Sequence, residues 1–202
     1  MATDVFLTNR RLRLSDFGFQ PDPGKPAPLQ NTICFYHFTQ RECCESVLRE
    51  GLQALRPVVC PRIPAEFNNK FLVEGFLEPL PKWLSNCPHF GDLGLRLTRH
   101  YIGNVLLRVE LPLIALQSVY VADYAHKMEI RHFQESGLRI LKRNYDLRSP
   151  DDIRQAYVLS YTPIADYTGG FVAPVVQFLN EGPGIAIPPS CISLHTKQPL
   201  AE

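Results

Sequence analysis

The chain reads as a single α+β domain, on three observations. Apolar and alternating runs suited to strands stand at 34–39, 105–111, 119–122 and 172–179, whereas amphipathic spacing occupies residues 40–52. The strand candidates crowd toward the C-terminal half while the clearest helix comes early, an order that favours segregated rather than alternating elements. At 202 residues with 45% hydrophobic content, the chain is long enough to bury one sizeable core.

Residues 1–31 read as an extended arm. QPDPGKPAPLQ is rich in proline, which removes backbone donors and favours extended chain, and Arg10, Arg11 and Arg13 cluster ahead of it, solvated or touching phosphates. The domain proper is then expected over 32–198. Cys34 to Thr39 forms a short strand, and Thr39 stands as helix N-cap with Glu42 completing a capping box. Cys43, Cys44, Val47, Leu48 and Leu52 recur at helical spacing, and Gly51 sits where a left-handed C-cap is wanted. His37 therefore lies between a strand and exposed helical N–H groups, either facing a polar ligand in a cleft or simply hydrogen-bonded to a neighbour.

Residues 55–64 read as irregular, and 66–88 as a long connection carrying Trp83, either a lid or a loop pinned to the core by Phe76, Leu77 and Trp83. Gly91 and Gly94 bracket a turn; Leu95 and Leu97 alternate with Arg96 and Thr98; residues 99–104 suit one helical turn before a strand from Val105. After a mixed stretch over 126–147, Ser149 is placed to cap a short helix over 150–155, with Pro150 and two aspartates in its first turn. Tyr157–Tyr161 and Val172–Leu179 are the last strand candidates, with the Asp166–Gly170 turn between them.

Twenty-one Lys and Arg against twenty Asp and Glu leave a formal charge of +1, so no global field points to nucleic acid or a membrane surface. Six cysteines without a C-x-x-C pair or His/Cys ligand spacing read as reduced thiols in a cytoplasmic setting, with a secreted effector as the alternative. No run reaches the length of a membrane span and no metal set is evident, although Asp123 and His126 could orient a base or share a metal. No Walker loop or nucleophile elbow is present.

Three blocks together resemble the ADP-ribosyltransferase superfamily of the diphtheria-toxin and poly-ADP-ribose polymerase type: YHFT leading to a helix that ends in EGL, GLRLTRHY followed by VLLRVELP, and APVVQFL before IPPSCI. The opening block also resembles that of DarT-like DNA-modifying toxins. The resemblance implies a split mixed sheet with a few short helices, NAD as substrate without a metal, and a macromolecular acceptor. It implies that His37, flanked by Tyr36, Phe38 and Thr39, holds the NAD ribose, that Tyr101 stacks on nicotinamide, and that Arg99 belongs to the same site. The family's glutamate has no clean match: Val175 or Gln177 stands where it is expected, and Glu181 follows in NEGPG, whose glycines allow it to curl back. The implied activity is NAD-dependent ADP-ribosyl transfer of toxin or defence-effector type, with Gln177 or Glu181 beside the reacting sugar. Its alternatives are a non-catalytic nucleotide- or protein-binding module on the same fold, or an NAD-dependent RNA 2′-phosphotransferase in which Arg96, Arg99 and Arg108 converge.

Overall fold

A computed structural model of the protein describes residues 32–85, 93–127 and 150–195. The arm expected at 1–31, most of 126–147 and the Ser149 cap lie outside them. The described fold is α+β, with every strand pairing antiparallel. A three-stranded sheet joins β1 (Thr32–Thr39) to β5 (Val105–Pro112) and then to β10 (Ile192–Leu194). A five-stranded sheet runs in the order β3 (Arg56–Pro57), β4 (Phe71–Gly75), β8 (Pro174–Asn180), β6 (Val119–Asp123) and β7 (Thr162–Pro163). A separate ribbon pairs β2 (Leu52–Ala54) with β9 (Gly184–Ile187).

The strands form because their sequences bury one face or both. Ile33, Phe35, Leu107, Val109 and Leu111 project from the three-stranded sheet onto Val73, Val119, Val121, Val176 and Phe178 of the five-stranded one. Each fully buried side chain of this kind contributes about 1.5–3 kcal/mol, so this layer dominates the stability. The other face of the five-stranded sheet carries Ala122, Val175 and Leu179, covered by Tyr157, Val158 and Tyr161. Burial on both faces explains why β8 reads as one apolar run with no alternation.

Helical backbone begins at 125–127, and four helices have both ends within the described residues: α1 (Arg41–Glu50), α2 (Lys82–Ser85), α3 (Leu93–Tyr101) and α4 (Pro150–Leu159). α1 packs Cys44, Val47 and Leu48 against the first core. Its N-cap is Gln40, without a side-chain cap bond. The expected Thr39 cap is displaced because Thr39 stays paired with Val105 in the sheet and is buried there. Gly51 does end the helix with positive φ, but at φ 100°, ψ 173° it leads straight into β2, so Leu52 is a strand residue. A Cβ there would sit 2.4 Å from the Ile187 carbonyl oxygen.

Three further expectations are corrected. The Leu95–Thr98 alternation is helical, because Leu95 and Thr98 are one helical step apart and both turn inward. Tyr157–Leu159 completes α4 rather than a strand: Tyr157 and Tyr161, four apart, seat on the same sheet face. The long connection at 66–88 holds β4 and α2, so helices and strands are not divided between early and late chain. No helix among the described residues is long and apolar enough to cross a membrane.

The two main sheets meet where β1 crosses the end of β4. Tyr36 and Phe76 exchange two backbone bonds, Tyr36 N–H to Phe76 O at 2.9 Å and Phe76 N–H to Tyr36 O at 2.7 Å. Gly75 makes that approach possible, since a Cβ there would fall 2.5 Å from a Phe35 ring carbon and 2.7 Å from the Tyr36 carbonyl oxygen. Gly75→Ala is expected to cost about 1–3 kcal/mol in chemical denaturation, as overpacking does in a closed core. A midpoint unchanged from wild type would show that the crossing has room to spare.

Candidate functional site

Strand alternation sets the first member of the site. On β1, Phe35 and His37 pair with Val109 and Leu107 and face inward, while Tyr36 points to the opposite face. There the Tyr36 ring meets His195 edge-on at 5.1 Å, opposite Arg108 in the register. His37 Nδ1 lies 2.7 Å from the Glu74 carbonyl oxygen. A carbonyl can only accept, so Nδ1 carries the hydrogen and Nε2 keeps its lone pair as an acceptor. Burial pushes the His37 pKa below 6.5, against the opposing pull of the Glu74 carbonyl bond and carboxylate. The imidazole is thus held neutral and in one tautomer.

The same Glu74 carries its carboxylate into a polar cluster. It is the cross-strand partner of Gln177 on β8, which donates from Nε2 to Glu74 Oε1 at 3.3 Å. Tyr157 OH donates to that oxygen at 3.4 Å, and Lys127 Nζ stands 3.3 Å from it. These are long contacts, converging on one atom. The Lys127 ammonium also lies 4.0 Å above the Tyr157 ring centre and 5.6 Å from that of Tyr124. Burial, reinforced by the Glu74 charge, raises the pKa values of Tyr157 and Tyr161, so both phenols remain neutral donors across the ordinary pH range. Gln177 is fully buried, and its Oε1 has no hydrogen-bond partner.

The other sequence candidates fall around this cluster at different depths. Phe38 is core, edge-on to Phe76 at 5.6 Å. Thr39 is buried with its backbone against Gly103, where a Cβ would meet the Thr39 carbonyl oxygen at 2.1 Å. That close approach brings the end of α3 to the end of β1. Tyr101, in the last turn of α3, is 66% exposed and lies edge-on to His100 at 4.7 Å. Arg99 is partly buried, and its Nε has no hydrogen-bond partner. Arg96 shares α3, while Arg108 is ion-paired with Glu110 on β5.

Glu181 stands in the turn after β8, its side chain 89% exposed and paired with Lys70. Four residues of extended chain, roughly 13 Å, separate it from Gln177. Asp123 acts on His126, its charge raising the imidazole pKa against a larger lowering by burial. Its carboxylate accepts backbone N–H groups of Ala125, Val172 and Ala173 at 3.0–3.2 Å, and no group of three or more potential metal ligands exists among the described residues.

Glu74, Lys127 and Tyr157 escaped the sequence reading. FLVEG was absorbed into a long connection, although an apolar run bounded by Asn68-Asn69 and by Pro79 carries the grammar of a short strand. Asn69 adopts a positive φ of 58°, the left-handed turn that starts β4. Nothing at the sequence level linked residues 74, 127, 157 and 177.

The site carries a pH dependence of stability. The pKa values of His37 and His126 are both lowered, chiefly by burial. Near neutrality the unfolded chain therefore binds more protons than the fold, and stability is full above about 6.5 and lost as pH falls through the folded values, at up to about 1.4 kcal/mol per pH unit for each histidine. His37→Asn keeps a donor for the Glu74 carbonyl but cannot take the proton. Denaturation midpoints between pH 7.5 and 5 should fall less steeply in this variant; parallel curves would mean that His37 does not titrate with unfolding.

No family model, no curated protein and no solved structure matches this chain.

Proposed function

We propose that the protein is an NAD-dependent ADP-ribosyltransferase acting on a macromolecular acceptor. The observation that carries this reading is a neutral His37, fixed in one tautomer by the Glu74 carbonyl, beside a carboxylate–amide pair on adjacent strands where two sheets meet. Cleaving the bond between ribose and nicotinamide develops positive charge on the sugar. A site for it needs hydroxyl acceptors that hold the ribose and a negative group near the reacting carbon. His37 Nε2 supplies such an acceptor. The exposed Tyr101 ring supplies an apolar face of the kind that stacks on nicotinamide, carried to the end of β1 by the Gly103–Thr39 approach. The three sequence blocks that resemble the superfamily contain these residues.

A second reading is favoured by the sequence itself: Val175 or Gln177 stands where the resembled superfamily places a glutamate, and neither an apolar side chain nor a neutral amide stabilises a developing cation well. On that ground the alternative is a nucleotide-binding module without turnover. Two measurements separate the readings. NAD in hundredfold excess over its Kd should stabilise the fold by about 2.7 kcal/mol, and His37→Ala should remove that response. Labelled NAD incubated with the protein and cell lysate should release nicotinamide and leave label on macromolecules. Stabilisation without release would make the protein a binder, and neither response would end the NAD reading altogether.

A further inference from the structure

Gln177 cannot itself supply negative charge, but the structure holds a carboxylate against it. Glu74 and Gln177 are register partners on β4 and β8, so their side chains leave the same sheet face side by side. They differ in access, for Gln177 is wholly buried whereas the Glu74 side chain is 30% exposed. Glu74 is also the residue whose carbonyl holds His37. One residue therefore fixes the imidazole with its backbone and offers an acid with its side chain.

The disposition of donors around that acid is uneven. Gln177, Tyr157 and Lys127 all engage Oε1, and among the described residues Oε2 makes no hydrogen bond. Three donors on one oxygen orient the group and leave the other oxygen able to accept. A purely structural role explains this less well. Drawing a carboxylate and an ammonium into a half-buried position costs desolvation, and an apolar pair of similar volume commonly serves stability as well or better. Ionised groups retained at that cost, and still partly open to solvent as Glu74 is, mark functional sites more often than apolar positions do.

Resting on the NAD reading above, we propose that Glu74 is the catalytic carboxylate of this site, with Gln177, Tyr157 and Lys127 as its positioning residues. In the step assigned to it, the bond from C1′ of the nicotinamide ribose to the ring nitrogen breaks, and its electron pair leaves with neutral nicotinamide. Glu74 Oε2 accepts a hydrogen bond from a ribose hydroxyl and offsets the positive charge spreading over the sugar. The acceptor's lone pair forms the new bond to C1′, and the acceptor's proton passes to solvent. Nothing is oxidised or reduced. Lys127, seated on the Tyr157 ring, stays on Oε1 and holds the carboxylate in place.

The test uses the full chain and labelled NAD, reading nicotinamide release and NAD-induced thermal stabilisation together. Glu74→Gln conserves shape and should retain the NAD response while release falls by about a hundredfold or more, a loss in kcat with little change in KM. Release within about threefold of wild type would overturn the assignment and leave the NAD reading standing, on the scale expected for losing one such electrostatic partner. A wild type that neither binds NAD nor releases nicotinamide would overturn both. Should Glu74→Gln fail to fold, Glu74→Asp, which keeps the charge but withdraws it by one methylene, takes its place. A folded, NAD-binding Glu74→Asp whose release falls by about tenfold or more supports the assignment, and release equal to wild type counts against it.

Discussion

The crossing of β1 over the end of β4 is the constraint on which the rest of the structure depends. It is a close approach of two backbones, with reciprocal Tyr36–Phe76 bonds and no room at Gly75 for even one methyl group. Hydrogen bonds of this kind contribute only about 0.5–1.5 kcal/mol each, so they do not dominate the energy. What they do is fix position. Ahead of the crossing β1 belongs to the layer between the sheets through Ile33 and Phe35, and beyond it Phe38 joins the second core against Phe76. His37 stands at the change of partner, where a side chain finds a carbonyl rather than another apolar group. The site is a product of that local geometry.

Around it, the balance of burial and charge is set by aromatic groups. Phe67, Tyr120, Tyr124, Tyr157 and Tyr161 form a run of edge-on and tilted contacts with ring centres 5.2–6.4 Å apart, covering the sheet face that carries Glu74 and Gln177. Such rings exclude water and still present a negative face to a cation. That explains how Lys127 is accommodated next to Tyr157 with its ammonium half-buried. With Tyr157 and Tyr161 kept neutral by burial, the Glu74 carboxylate and the Lys127 ammonium stand against each other and offset.

Asp123 determines where that ammonium stands. Its carboxylate gathers the N–H groups of Ala125, Val172 and Ala173, and its own N–H reaches Ser160 Oγ at 3.0 Å. The end of β6, the start of β8 and the end of α4 are thereby tied to one residue. Tyr124 N–H bonds to the Ala173 carbonyl, and Lys127 N–H to the Tyr124 carbonyl, so the lysine follows from the same anchor. Losing the acceptor would leave the two buried donors, Ala125 and Ala173 N–H, unsatisfied at about 1–3 kcal/mol apiece. The acid of the acid–histidine pair that the sequence singled out thus also serves as a framework for residues that the sequence left unmarked.

By itself the sequence determined the α+β class and the strands whose patterning is their own: β1, β5, β6 and β8 have local apolar grammar, and α1 has helical spacing and a terminal glycine. It also singled out His37 and Gln177, because a histidine at a strand end and an unusual residue within an apolar run are visible one residue at a time. Only the tertiary structure decided what these residues meet. β4 is five residues long and flanked by turns, too short for periodicity to reveal, and its strand character comes from pairing with β8 more than a hundred residues away. The register of that pairing sets Glu74 against Gln177, and α4 folding over the same face adds Tyr157. Helix or strand was ambiguous for Leu95–Thr98 and Tyr157–Tyr161 for the same reason: a short apolar pattern fits either period until the surface that buries it is known.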